Sequence, residues 1–318
     1  MLRFSFVFSL AVILAANAIN APLGAQTLVS LGAAQKEVNP SPPEKSSYKY
    51  AERDWNALTS ALHTSKPPSD TQINSFVMAM IGFEPGEETF GVSVCSAGFF
   101  KIAGSESESL VASVDFNGRH FCNDVYVIHR GANGLVLQDA QNLGKGIHSY
   151  QVDDVNDIVR DLGKDGTNEL VIPTEYSDYE GYKCLANWSR VYIMQSDTLV
   201  DRSASFKDFY KERLDTLLNE GIPRAKTRDA NDGGNSVICV QMEADKIERF
   251  LGTSPNAGED KAIDWINSAD QSLRLKGIVV LADIGDEESI ATLQHLTGDP
   301  DAIVAGAAKH AVNSARKR

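Results

Sequence analysis

The hydrophobic positions change period twice along the chain. Between residues 49 and 82 the period is helical. In YKYAERDWNALTSALHT, Trp55, Leu58 and Leu62 recur at spacings of three and four, and Pro67-Pro68 stops the run. In SDTQINSFVMAMIG, Ile73, Phe76, Val77, Met80 and Ile81 share one face, with Ser69 or Asp70 as cap and Gly82 as stop. From 88 to 204 the period falls to two. Phe90, Val92 and Val94 alternate with polar or small residues, as do positions in SLVASVD, VYVIHR, SYQVDD and RVYIMQ. Asn117-Gly118, Asn133-Gly134 and Asp165-Gly166 punctuate the strands, and Asn133-Gly134 predicts a two-residue hairpin. After 205 the helical period returns. Phe206, Phe209, Tyr210, Leu214, Leu217 and Leu218 form a stripe that ends at Gly221. DANDGGN reads as a loop, and a further helix near 237–251 carries Val240, Ile247 and Leu251 on one face.

Both halves repeat internally. Leu110 falls on Leu170, a shift of 60 residues, and Val125–Ile128 matches Val191–Met194. Cys122 and Cys184 share the intervening loop, which is six residues longer in the second copy. Two such units do not close a propeller, which takes about 4–8 blades, and an open pair leaves sheet edges to be covered. Near the C-terminus Leu273 falls on Val304, a period of 31, with Asp270 and Asp301 as helix caps. Val304, Ala307, Ala308 and Ala311 make a small-residue face for close helix packing. The expected fold is multidomain, α and β. An N-terminal helical segment (49–87) precedes an antiparallel β-repeat module (88–204), a partial propeller or small sandwich. An all-α module (205–318) follows.

The chain of 318 residues carries a net charge of −13, which disfavours nucleic acid and anionic lipid as partners. Residues 1–25 read as a signal peptide: Arg3, an apolar run from Phe4 to Ala16, then small-residue sites at Ala16-Asn17-Ala18 and Leu23-Gly24-Ala25. The alternative is a single anchoring helix. Residues 26–48, containing NPSPPEKSS, read as a disordered linker. The expected destination is secreted or periplasmic, with no membrane span after cleavage. In that compartment Cys95, Cys122, Cys184 and Cys239 are expected to form two disulfides. Of three connectivities, Cys95–Cys122 with Cys184–Cys239 is favoured: the first staples neighbouring strands, the second ties the inserted loop to the helical module.

VRDLGKDGTNELVI resembles the FG-GAP or VCBS repeats of secreted and integrin-like propellers, where an Asp-rich loop joins two strands. The resemblance implies calcium ligation by Asp161, Asp165 and Glu169. Gly163 stands where the family carries Asp or Asn, so any calcium site is weak, and Ile172 at the twelfth position excludes an EF-hand. The alternative is an Asp-Gly turn closed by Asx hydrogen bonds. The C-terminal pattern resembles short HEAT-like repeats, carried by Leu273-Arg274, Ile284-Gly285-Asp286, Ile290, Leu293, Leu296 and Asp299-Pro300-Asp301.

H-E-x-x-H, G-x-S-x-G, P-loop and G-x-G-x-x-G motifs are absent from the sequence. His129, ending an alternating strand, and His310, on a helix, read as surface residues. His148 beside Asp153 and Asp154 reads as a solvated charged turn rather than an acid–base set. The inserted loop 174–188 holds Tyr176, Tyr179, Tyr182 and Trp188 among Glu175, Asp178 and Glu180. These aromatics either form a platform for a protein or glycan partner or cover the open β edge. Asn187-Trp188-Ser189 is a glycosylation sequon. The expected function is an exported protein-interaction or ligand-binding protein. A carbohydrate-active or other hydrolytic enzyme using clustered carboxylates is the alternative.

Overall fold

The computed structural model describes residues 47–83, 91–116, 118, 122, 124–139, 151–176, 186–232 and 236–315. The expected signal peptide, nearly all of the linker, His148, Tyr179, Tyr182 and Cys184 lie outside the described residues. The architecture is mixed: two four-stranded antiparallel sheets with helices before and after them.

Helices α1 (Ala51–Leu62) and α2 (Asp70–Met80) form where the helical stripes predict. Ser69 closes a capping box with Gln72, satisfying two otherwise orphaned amides. Trp55, Leu58, Ile73, Phe76, Val77 and Met80 are buried.

The first sheet is a meander of β1 (Ser93–Phe100), β2 (Ser109–Asp115), β3 (Asp124–Gly131) and β4 (Gly134–Asp139). The β3–β4 hairpin pairs Gly131 with Gly134 across Ala132-Asn133, one residue earlier than Asn133-Gly134 suggests. Gly134, at φ +111°, is a position that L side chains rarely adopt. The second meander comprises β5 (Val159–Arg160), β6 (Glu169–Tyr176), β7 (Ala186–Gln195) and β8 (Thr198–Asp201). The described part of SYQVDD is not a strand. Asp154 instead caps a 3-10 turn, Val155–Asp157, whose first amide donates to Ser96 of β1 at 3.2 Å.

The two sheets stack in the same sense. Leu110, Ala112, Val114 and Ile128 face α1 and α2. On the opposite face Val111, Val125 and Val127 meet Leu170, Ile172, Tyr192 and Met194 of the second sheet. The second sheet's far face, Val171 and Val191, meets Tyr210, Leu217, Ala244 and Ile247 of the helical part. Leu110 and Leu170 therefore occupy the same side of successive units, as the shift of 60 requires. Helices cover both open ends of the stack, protecting faces that water would otherwise reach. The pairing of Leu110 with Ile128 and of Leu170 with Tyr192 places Ile128 opposite Tyr192 in the repeat. The inserted loop is then four residues longer in the second copy, not six. The two-residue difference preserves which side chains face inward.

Cys95 and Cys122 form a disulfide with a Cα–Cα distance of 6.1 Å, and Cys239 is also disulfide-bonded.

Helix α3 (Lys207–Thr216) does not stop at Gly221. A π-turn, Leu217–Gly221, leads into α4 (Ile222–Asp232). Pro223 explains it: its ring crowds the preceding turn and it donates no amide, so the widened turn keeps the axis continuous. The expected loop from Asp229 is helical through Asp232, and the Asp229 carboxylate accepts from Ser236 and Val237 at the start of α5 (Ser236–Leu251). Then follow α6 (Glu259–Ile266), α7 (Gln271–Ile284), α8 (Glu287–Leu296) and α9 (Ala302–Ala315). The period of 31 is visible in the caps. Asp270 accepts from Ser272 and Leu273, and Asp301 accepts from Ile303 and Val304. Val304, Ala307, Ala308 and Ala311 are buried together against α7. No helix among the described residues is long and apolar enough to cross a membrane.

Candidate functional site

The acidic loop closes on itself. Asp161 accepts the Asp165 and Gly166 amides at 3.1 and 3.0 Å, and Asp165 accepts the Thr167 amide and hydroxyl at 2.9 and 2.6 Å. The Thr167 bonds hold the Asp165 carboxyl below its ordinary value. Glu169 is buried and accepts from Leu162 at 2.8 Å; burial raises its pKa against the pull of that amide. These carboxylates serve the loop's own donors, the geometry of an Asx-type turn. Among the described residues no three His, Cys, Asp or Glu are gathered in a way that could hold a metal ion, so nothing here supports calcium.

Of the four aromatics in the inserted loop, the structure describes the side chain of Trp188 alone. Trp188 is buried, stacked 5.0 Å from the Tyr210 ring and 5.2 Å from Phe250, with the Lys246 ammonium 5.1 Å from its centroid. It joins the second sheet to the helical part. Tyr176 ends β6.

His129 is not a surface residue: it is 1% exposed, on the β3 face that packs against the second sheet. The alternation places it inward with Val127, a consequence legible only once the stacking partner is known. Burial lowers its pKa, and the nearby Asp197 opposes this. The folded state thus favours neutral imidazole. Stability from this group is present above the ordinary value of 6.5 and is lost as pH falls through the lowered folded pKa. Melting curves from pH 7.5 down to about 5 should fall for the wild type, and His129→Gln should flatten the acid limb. Parallel curves for the two proteins would contradict this.

One concavity built from described residues lies beside the short strand β5. β5 pairs with Leu170 and Glu169 alone, whereas β6 runs alongside β7 to Tyr176. The Val171 amide donates to Ile158 at 2.7 Å; beyond it the chain before β5 turns away through Val155–Asp157. Pro173, which donates no amide, occupies this edge, where a ladder bond is not required. Helix α3 crosses above and contributes Phe209 and Arg213. The resulting cleft of about 280 Å³ has an apolar wall of Val152, Ile158, Val171, Pro173 and Phe209. Its polar groups are Gln151, Asp157, Arg160, Ser189 and Arg213.

The guanidinium groups are positioned differently. Arg213 is clamped by Glu243, Nε to Oε1 at 2.8 Å and Nη2 to Oε2 at 3.2 Å. Glu243 is buried; burial raises its pKa, and Arg213 opposes that rise. Arg160 donates its Nε to the Asp157 carbonyl at 3.1 Å. Sequence reasoning missed this cleft because Arg160 and Arg213 lie 53 positions apart in separate elements. A second concavity, also about 280 Å³, lies across the Arg213–Glu243 pair and includes the π-turn residues Leu217, Glu220 and Gly221.

The chain matches no protein-family model, no curated protein and no solved structure.

Proposed function

We propose that the chain is an exported recognition protein whose ligand seats in the cleft between the open edge of β6 and helix α3. The supporting observation is that cleft itself: an apolar wall of five residues facing five polar or charged ones, so that one concavity offers both apolar contact and hydrogen-bonding groups. In this reading the stacked meanders are two blade-like units of the FG-GAP type, and α7 to α9 are HEAT-like helices that buttress them. The signal-like N-terminus and the Cys95–Cys122 disulfide suit a secreted or periplasmic protein.

The test is capture from the exported fraction of the source cells by the immobilised full chain, compared with Ser189→Trp, which fills the cleft. The expected result is a bound species retained by wild type and by the control Glu287→Lys on α8, and lost with Ser189→Trp at unchanged melting temperature. A retained species indifferent to Ser189→Trp would contradict the proposal, as would the absence of any Ser189-dependent binding both in this capture and to small solutes in solution.

A further inference from the structure

Resting on the same cleft, we infer that its ligand is a small zwitterion: a free α-amino acid with an apolar side chain, or a dipeptide of that kind. Three observations carry this. The first is the donor set. Arg213 keeps Nη1 after Glu243 has taken Nε and Nη2, and Arg160 keeps both terminal nitrogens after Nε has met the Asp157 carbonyl. Two guanidiniums on one cleft offer the N–H geometry that a carboxylate takes in bidentate fashion. The Glu243 clamp also fixes Arg213 in place before any ligand arrives, which lowers the ordering cost of binding.

The second is charge. Arg160 and Arg213 are balanced by Asp157 and Glu243. A ligand bearing a bare anionic charge meets no net attraction, whereas one with a carboxylate and an ammonium answers both signs. Asp157 is among the residues lining the cleft, and its carboxylate accepts no hydrogen bond among the described residues, which leaves it able to meet an ammonium. The third is size and surface. About 280 Å³, with Val152, Ile158, Val171, Pro173 and Phe209 on one side and the charged groups on the other, accommodates an aliphatic side chain beside its own charged backbone groups.

The experiment uses the full 15N-labelled chain and four probes: leucine, N-acetyl-leucine, leucinamide and inorganic phosphate. Leucine is expected to shift the amide resonances of Ile158, Val171 and Phe209 with a Kd on the order of 1 mM, the range for a ligand of under a dozen heavy atoms. N-acetyl-leucine and leucinamide each lack one charge and should bind at least about tenfold more weakly, since one charged hydrogen bond is lost. Arg160→Gln should abolish binding of leucine and of N-acetyl-leucine. Asp157→Asn should remove leucine's advantage over N-acetyl-leucine. Both positions are exposed, and equal melting temperatures confirm intact folds. Absence of leucine shifts, phosphate binding as tight as leucine, or shifts that survive both variants would overturn the inference. Such a failure alongside Ser189-dependent capture would remove the zwitterion and leave the recognition cleft standing. Failure of both would remove the cleft.

Discussion

Gly104→Ala is expected to lower stability by more than about 4 kcal/mol, enough to unfold many domains. Gly104 lies on the segment that leaves β1 and crosses to the second sheet. A Cβ added there would stand 1.9 Å from the Met194 carbonyl oxygen, at a φ of +80°. The clash involves main chain on both sides, so no rotamer relieves it. Displacing the segment breaks three backbone bonds of 2.8 Å each: Ala103 to Asn168, Asn168 to Lys101 and Met194 to Ala103. Each buried group left without a partner costs about 1–3 kcal/mol. Ile102, fully buried beside it, would also lose its seat. Gly166→Ala is the internal control. Gly166 has a similar φ of +82° but nothing within 4 Å, so it should cost only about 1–2 kcal/mol. Urea denaturation of the two variants measures the difference. Equal losses would show that the crossing segment does not hold the sheets together.

Asp283→Asn should cost about 3–5 kcal/mol by stranding buried cations. Asp283 of α7 receives Lys246 at 2.9 Å and Arg249 at 2.6 Å, both from α5, and all three side chains are under 10% exposed. Lys246 also lies over the Trp188 ring, so the cluster joins α7, α5 and β7. Removing the carboxylate leaves two positive charges facing one another in a low dielectric. A second change, Lys246→Met, should restore part of the loss, because it removes one stranded charge and keeps an apolar stem of similar length. Guanidinium denaturation of the single and double variants decides it. A single-variant loss under about 1 kcal/mol, or a double variant less stable than Asp283→Asn, would contradict the junction described here.

Much of the local structure was legible. Ser69 or Asp70 was the expected cap of α2, and Ser69 is the one that caps it; period-two stretches marked the strands at SLVASVD, VYVIHR and RVYIMQ but misled over the described part of SYQVDD. The shift of 60 foretold that Leu110 and Leu170 face the same way. Asp270 and Asp301 foretold the caps of α7 and α9. What escaped depended on partners distant in sequence. Gly221 is a reasonable helix stop until Pro223 and the packing of Leu217 favour a π-turn. His129 sits at the end of a strand, and its burial follows only from the second sheet stacking on it. Trp188 could be read as part of a platform or as cover for the open β edge; what the sequence did not show is that Tyr210 and Phe250 arrive from helices to enclose it. For the Asp161 loop the sequence left two readings open, calcium ligation and an Asx-closed turn, and the bonds from Asp165, Gly166 and Thr167 have the geometry of the turn. The cleft had no signature because its wall is assembled from β5, β6, β7 and α3.

Site-specific photocrosslinking tests the claim of a recognition cleft most directly. p-Benzoylphenylalanine in place of Phe209 puts the reactive carbonyl in the cleft, and the same group in place of Leu218, 42% exposed on the π-turn, serves as comparison. With the chain exported in its source cells, illumination should give a defined adduct mass from position 209, diminished by Ser189→Trp, and none of that mass from 218. No adduct at 209, or the same adduct from both positions, would contradict the account.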